Sequence, residues 1–208
     1  MTSNSFLDLI YQDDSLLLAN KPAGLLAVPG RGTDKQDCLS TRLQQEFPDA
    51  LVVHRLDMST SGLMVFARGA EMQRRLSLMF HEREVKKCYV AVVSGKLEPE
   101  IGEVDLPIVA DWPNRPLQKI DTESGKPSLT RYRVLSNEGD NTRVELEPVT
   151  GRTHQLRVHM AAIGHPVLGD ALYGDAASAP RLLLHAAALN LLHPTTGASL
   201  HFVSAASF

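Results

Sequence analysis

Cysteine is nearly absent from this chain. Its 208 residues include two, Cys38 and Cys88, and neither has a neighbour at a zinc-binding spacing. A disulfide-built scaffold is therefore excluded, and the pair reads as reduced thiols of a cytosolic protein, with one isolated disulfide as the alternative. No apolar run approaches the length of a membrane span. The opening Met1-Thr2-Ser3-Asn4 lacks the basic region and apolar stretch of a signal peptide. A cytoplasmic location without a membrane partner is the expectation. Aromatic residues make up 5%, with a single tryptophan, so any function that stacks rings must rely on few of them. There is no Gly-rich phosphate loop, since Gly125-Lys126 lacks both the earlier glycine and a following hydroxyl. There is no Gly-x-Gly-x-x-Gly and no nucleophile elbow. His154 and His159 are five apart, which is not the spacing of two zinc ligands on one helical face. The chain is expected to need neither a metal nor a cofactor.

Positive charge is also in deficit, with a formal net charge of −3. Taken globally, that argues against a nucleic-acid binder, but the distribution reopens the question. Residues 54–87 carry Arg55, Arg68, Arg74, Arg75, Arg83, Lys86 and Lys87 against four acids. Residues 112–133 carry Arg115, Lys119, Lys126, Arg131 and Arg133 against Asp121 and Glu123, and residues 151–160 carry cations and histidines with no acid. Acids gather at 98–105 and 138–147. A basic face on an acidic chain is one reading; an ordinary solvated surface is the other.

With 43% hydrophobic and 22% charged residues, the chain can build a packed core. Leu7–Asn20 reads as a strand, a turn at Asp13-Asp14 and a second strand over Leu16–Ala19. Ser40–Phe47 reads as a short helix ending before Pro48. Leu63–Ala67 is a continuous apolar run and is expected to be a buried strand. Met72, Leu76, Met79 and Phe80 fall on one face of a helix over Ala70–Phe80. Cys88–Val93 reads as an interior strand. Alternation around Tyr132, Val134, Val144 and Leu146 marks two half-exposed strands. A helix capped by Thr153 should show Leu156, Met160 and Ile163 on one face and stop at Gly164. Leu182–Leu184, Leu189–Leu192 and Leu200–Val203 supply late strands. Strands outnumber helices and several turns are too short for crossovers, so the expected class is α+β with a large, mainly antiparallel sheet.

Two segments have the look of a site. His54-Arg55-Leu56-Asp57-Met58-Ser59-Thr60-Ser61-Gly62 puts a carboxylate, a guanidinium, an imidazole and three hydroxyls into nine residues between two apolar stretches. A turn whose polar groups cap local backbone would look the same. Gly151-Arg152-Thr153-His154-Gln155-Leu156-Arg157-Val158-His159 places His154 and Arg157 as i, i+3 neighbours on the polar side of a helix. Its basic first turn opposes the helix dipole, which calls for an anion or a distant carboxylate. A solvated basic face is the plain alternative. Asp57 has no cation beyond Arg55 within six positions, and Arg157 has no acid within nine. A pairing of the two would keep Asp57 ionised, as a nucleophile requires.

His54-Arg55-Leu56-Asp57 with Thr60-Ser61-Gly62 resembles the signature of the RluA family of pseudouridine synthases. Four further blocks resemble the family and come in its order: Asn20-Lys21-Pro22-Ala23-Gly24-Leu25, Lys86-Lys87-Cys88-Tyr89-Val90-Ala91, Gly151–His159 running on through Gly164-His165-Pro166 and Leu168-Gly169-Asp170, and Arg181-Leu182-Leu183-Leu184-His185-Ala186. Val28-Pro29-Gly30-Arg31 and Asp111–Pro116 resemble one branch of it, whose substrates are a hairpin of large-subunit (23S) rRNA and tRNA anticodon stem-loops. The resemblance implies the pseudouridine synthase fold, a mixed, mainly antiparallel sheet flanked by helices and loops around a central active-site cleft. It implies one catalytic domain over residues 1–208, with no S4 domain ahead of it, and a monomer.

By the same resemblance, Asp57 is the nucleophile, Arg157 pairs with it, and Tyr89 stacks on the target base. Arg55 enters the RNA stack where that base has left, and Leu156 lines the uracil pocket. Arg152, Thr153, His154 and Gln155 are expected to contact RNA, and His54 to bond locally. Trp112 is a second stacking candidate, with core packing as its alternative. The reaction breaks N1–C1′ and joins C5 to C1′, so nothing is gained or lost and no cofactor is required. Two other functions fit an Asp-bearing loop: a nucleoside or glycosidic hydrolase, which would want a second carboxylate that neither block supplies, and a non-catalytic RNA-binding module.

Overall fold

The computed structural model describes residues 7–208. Among them are twelve strands and three α-helices, in two compact units: the described residues up to Val85 with Ala186–Ala205, and Lys86–His185 with Ala206–Phe208.

The first unit is built on the most apolar stretch of the chain. Strand β1 (Leu9–Gln12) runs antiparallel to β2 (Leu16–Lys21), and β2 antiparallel to β4 (Ser61–Arg68), with Leu16 opposite Ala67 and Lys21 opposite Gly62. The short β3 (Ala50–Val52) pairs with β4 from Ala50 opposite Arg68. Strand β11 (Leu184–Leu192), nearly all of it in this unit, follows β4 in the sheet and carries β12 (Ser199–Val203) antiparallel. Leu63 to Ala67 are fully buried, as a continuous apolar run should be. Helix α1 (Leu39–Glu46) packs by β3, and α2 (Gly69–His81) lies on β3 and β4 with Leu76 fully buried and Met72, Met79 and Phe80 around it. Leu182–Leu184 and Leu189–Leu192, read from the sequence as two strands, are not separate. Ala186-Ala187-Ala188 continues the extended backbone between them, because small residues leave no local signal of a strand that packing alone sustains.

The turn from β1 to β2 is held by Asp13. Its carboxylate accepts from the backbone N–H groups of Ser15 (2.7 Å) and Leu16 (2.9 Å), from the Tyr11 hydroxyl (2.6 Å), and from His193 Nε2 (2.9 Å). The His193 Nδ1 accepts from the N–H groups of Thr195 and Thr196, so its Nε2 carries the proton that Asp13 receives. Partial burial pushes the Asp13 carboxyl up, but the four hydrogen bonds outweigh it and hold its pKa at about 2. The folded pKa lies below the unfolded one, so the stabilisation is complete above about pH 4 and is lost as pH falls towards 2. It amounts to about 2 kcal/mol. Urea midpoints between pH 5 and pH 2 are expected to fall more steeply for the wild type than for Asp13→Asn. Parallel slopes would refute this role.

The second unit is an antiparallel sheet in the order β5 (Lys86–Ser94), β10 (Asn141–Pro148), β9 (Leu129–Glu138), β6 (Ile101–Asp105). A two-residue turn joins β9 to β10, with Gly139 at φ 65° as a tight hairpin requires. Strand β10 alternates as read from the sequence: Thr142, Val144 and Leu146 are buried, while Arg143, Glu145 and Glu147 face outward. In β5, Ala91, Val92 and Val93 are buried, whereas Cys88, Tyr89 and Val90 are half-buried. A small hairpin, β7 (Ile108–Ala110) with β8 (Gln118–Ile120), stands apart from this sheet. Helix α3 (Gln155–Ala162) sends Leu156 and Met160 into a core shared with Val93, Val104, Tyr132, Val144 and Leu146.

Helix α3 departs from the sequence reading at its start. Thr153 does not cap it. The N-cap is His154, in the left-handed region at φ 54°, and its side chain does not cap the helix. Gln155 does the fastening instead. Its Oε1 accepts from Thr150 Oγ1 (2.7 Å) and the Arg152 N–H (3.0 Å), and its Nε2 donates to Leu129 O and Thr130 Oγ1. Of the two residues read as its polar side, His154 is half-buried and Arg157 is buried, as are Gln155 and His159. Polar side chains tolerate that only when each has partners, and these do. Among the described residues, no helix is long and apolar enough to cross a membrane.

Candidate active site

In the first unit, the loop after β3 carries Asp57, and its backbone is pinned from two directions. Asp57 O accepts from the Thr60 N–H (3.1 Å), which closes a turn. Met58 O accepts from the Gly24 N–H (2.8 Å) and from Lys21 Nζ (3.0 Å). Lys21 is fully buried, and its ammonium also donates to Pro22 O (2.9 Å) and Leu25 O (2.8 Å). Three carbonyls thus fill the three donor positions of one ammonium. Burial draws the Lys21 pKa down to about 8, and the negative charge of Asp57 works against that fall. At neutral pH the lysine remains charged, ties the Lys21–Leu25 loop to the Asp57 loop and places a cation in the field of the carboxylate. Lys21 stands within the first of the family-like blocks, with no role assigned by its type or position. A buried lysine is not legible from its neighbours.

The other residues of this loop divide by exposure. Asp57 is half-buried, Arg55 is exposed, and Leu56 is buried. Met58, beside Asp57, is 52% exposed. His54 is committed to the fold: its Nε2 accepts from the Val65 N–H (2.9 Å) and its ring stacks on Phe80 at 4.4 Å. Gly62 sits at φ 116° against the backbone of Ala186, where any Cβ would overlap it. Only glycine lets β4 run that close to β11.

In the second unit, Arg157 is 4% exposed and grips Asp170 with both arms, Nε to Oδ2 at 2.8 Å and Nη2 to Oδ1 at 2.6 Å. Asp170 is 1% exposed and also accepts from the N–H groups of Leu172 and Tyr173. Burial alone would raise its carboxyl, but the Arg157 guanidinium and those amides hold its pKa below the usual value. The Arg157 guanidinium lies over the Tyr173 ring at 5.2 Å. The Tyr173 hydroxyl in turn meets His154 Nδ1 (2.7 Å) and accepts from the Gln118 N–H (2.8 Å). One tyrosine therefore braces the guanidinium, the strained turn before α3 and the base of the small hairpin.

Of the residues picked from the sequence, Arg157, Leu156, Gln155 and His154 come together here. Leu156 is 6% exposed within the core. Gln155 has every donor and acceptor engaged within the protein, which leaves its amide nothing to offer RNA. Arg152 is half-exposed and donates to Pro127 O, and Thr153 is exposed. His159 is not part of a basic face: its nitrogens meet Thr130 Oγ1 and Leu106 O, and burial lowers its pKa. Tyr89 lies on β5, half-buried against the core of its unit. Asp170 and Tyr173 were missed. Asp170 had one sequence signal, membership of the block that carries Arg157; Tyr173 lies three residues beyond that block.

A family model described as RNA pseudouridylate synthase matches residues 15–162. The chain is 52% identical over 207 residues to the dual-specificity RNA pseudouridine synthase RluA of Escherichia coli K12, covering 98% of this chain and 94% of that protein. It is 50% identical over 204 residues to the protein of the same description from Yersinia pestis, covering 96% and 99%. Among solved structures, the human RNA pseudouridylate synthase domain containing 1 superposes with a TM-score of 0.80 at 31% identity, over 99% of this chain and 85% of that one.

Proposed function

The chain belongs to the RNA pseudouridylate synthase family, and on that premise we propose that it isomerises chosen uridines in stem-loops of both ribosomal and transfer RNA. It is an RNA pseudouridine synthase, with the pseudouridine synthase fold. The dual specificity is carried by one observation: two relatives named as dual-specificity enzymes share about half of their residues with this chain along almost its whole length.

The chemistry divides among residues already described. Asp57 is the carboxylate that acts at the ribose, where it can trap C1′, take the 2′ proton or stabilise charge while the N1–C1′ bond is open. The base turns, C5 joins C1′, and the proton released from C5 is balanced by one gained at N1. Tyr89 is the ring that stacks on the uracil, and Arg157 is a cation serving the same reaction. Arg55 is free of the packed interior and fills the stack that the flipped nucleotide leaves. Unstacking costs least in a loop, which favours stem-loop targets. Arg152, Thr153 and His154 form the turn offered to RNA. The chain is proposed to act as a monomer and as one catalytic domain, in the cytoplasm, without metal or cofactor.

The test uses total RNA from a strain lacking its own copy of the enzyme. After incubation with the protein, carbodiimide-based primer extension is expected to reveal new pseudouridine stops in both a 23S hairpin and a tRNA anticodon loop. Stops in only one of the two RNAs would reduce the reading to single specificity. Accumulation of free uracil would turn it into a hydrolase.

A further inference from the structure

The only tryptophan in the sequence stands in solvent. Trp112 is 66% exposed, in a short turn between β7 and β8. The alternative reading of this residue, core packing, is overturned. Its ring is nevertheless not loose. The Arg115 guanidinium lies 3.2 Å from the ring centroid. The turn is closed by Asn114 N–H to Asp111 O (3.0 Å), Asn114 Nδ2 to Asp111 Oδ2 (2.9 Å), Leu117 N–H to Asn114 O (3.0 Å) and Asp111 N–H to Leu117 O (2.9 Å). Its base is bonded through Gln118 N–H to Tyr173, the tyrosine beneath Arg157.

We propose that Trp112 and Arg115 form a stacking platform for an unpaired nucleotide of the substrate RNA, one other than the uridine that reacts. The proposal rests on the RNA-modifying function given above. The ring and the cation are held together at the surface, outside the core of this unit. Arg115 is exposed and has no carboxylate partner among the described residues, since Asp111 is engaged with Asn114 and Asp121 with Lys119. Trp112 is also the one exposed large apolar side chain between residues 108 and 120. A protein partner would want a continuous apolar patch. A lone flat π-face beside an unpaired guanidinium instead matches a nucleobase and its phosphate. The rigid turn presents that face already ordered, so little entropy is lost on contact.

Because Trp112 is the sole tryptophan, its emission reports on the platform alone. The experiment titrates a fluorescein-labelled tRNA anticodon stem-loop, and a blunt duplex of the same stem, into the full chain. Binding is followed by anisotropy, and indole emission and acrylamide quenching are read in parallel. With the stem-loop, emission is expected to fall, and acrylamide access to drop, in step with anisotropy, but not with the duplex. Trp112→Ala is expected to weaken stem-loop binding roughly tenfold, and Trp112→Phe to recover part of that. Unchanged emission at saturation, equal quenching by the duplex, or wild-type affinity in Trp112→Ala would each overturn the proposal. A stem-loop that neither binds nor is modified would instead overturn the functional reading, and the platform with it.

Discussion

Asp57→Asn is expected to lower pseudouridine formation by roughly a thousandfold or more, the scale seen when a group central to the chemistry is removed. Affinity for a stem-loop RNA should be undiminished. Asparagine has the shape of aspartate but can neither attack C1′ nor balance a developing positive charge. The fold should survive, because the loop is pinned through backbone carbonyls and not through this side chain: Thr60 bonds to Asp57 O, and Gly24 and Lys21 bond to Met58 O. Thermal unfolding of the variant should therefore match the wild type. Single-turnover assays with excess enzyme, read by tritium release from C5-labelled uridine, give the rate, and anisotropy gives the affinity. Turnover near the wild-type rate would remove Asp57 from the mechanism. Loss of both binding and stability would mean that the loop is structural.

Asp170→Asn is expected to produce the largest loss of stability, about 3–5 kcal/mol, because it removes the carboxylate charge that a buried guanidinium grips with both arms. The side chains of Arg157 and Asp170 are 5% and 0% exposed, and they meet in a two-armed ion pair. Breaking such a pair from one side leaves a desolvated charge without its bidentate partner. Replacing both partners with apolar residues of similar size need not be costly. Arg157→Met with Asp170→Leu should thus recover much of the stability that Asp170→Asn loses. Urea denaturation of the three variants measures this, and the single variant should melt roughly 10 °C lower. A loss below about 1 kcal/mol would mean that the pair is effectively solvated. If the double variant is stable but makes no pseudouridine, Arg157 serves the reaction itself and Asp170 holds it in place.

These two carboxylates also show where the sequence could and could not be read. Asp57 was legible because its loop is local: the polar residues, the bounding apolar runs and the closing glycine all lie within a dozen positions. Strands β2 and β4 and helix α2 were legible for the same reason, since burial with a period of two or 3.6 is written in successive residues. Asp170 was not, because it acts on a side chain thirteen positions away, across a turn. A basic helix start looks the same on paper whether it is wet or buried. The readings that failed are of this kind. His154 and Arg157 read as a polar side, yet Arg157 lies inside with Gln155 and His159, because Thr130, Thr150, Asp170 and Leu106 O supply partners that no local pattern encodes. For Trp112 it was the core-packing alternative that fell: the ring is held in water by a turn and an arginine.

What the residues alone determined is the family, the α+β class, the position of most elements and the candidate nucleophile, all of which depend on type and spacing along the chain. Tertiary structure alone decided which charges are buried and by what they are matched: Lys21 among three carbonyls and Arg157 against Asp170. The reason is physical. Desolvating a charge is affordable only where distant groups converge on it, and convergence belongs to the folded chain, not to any stretch of it.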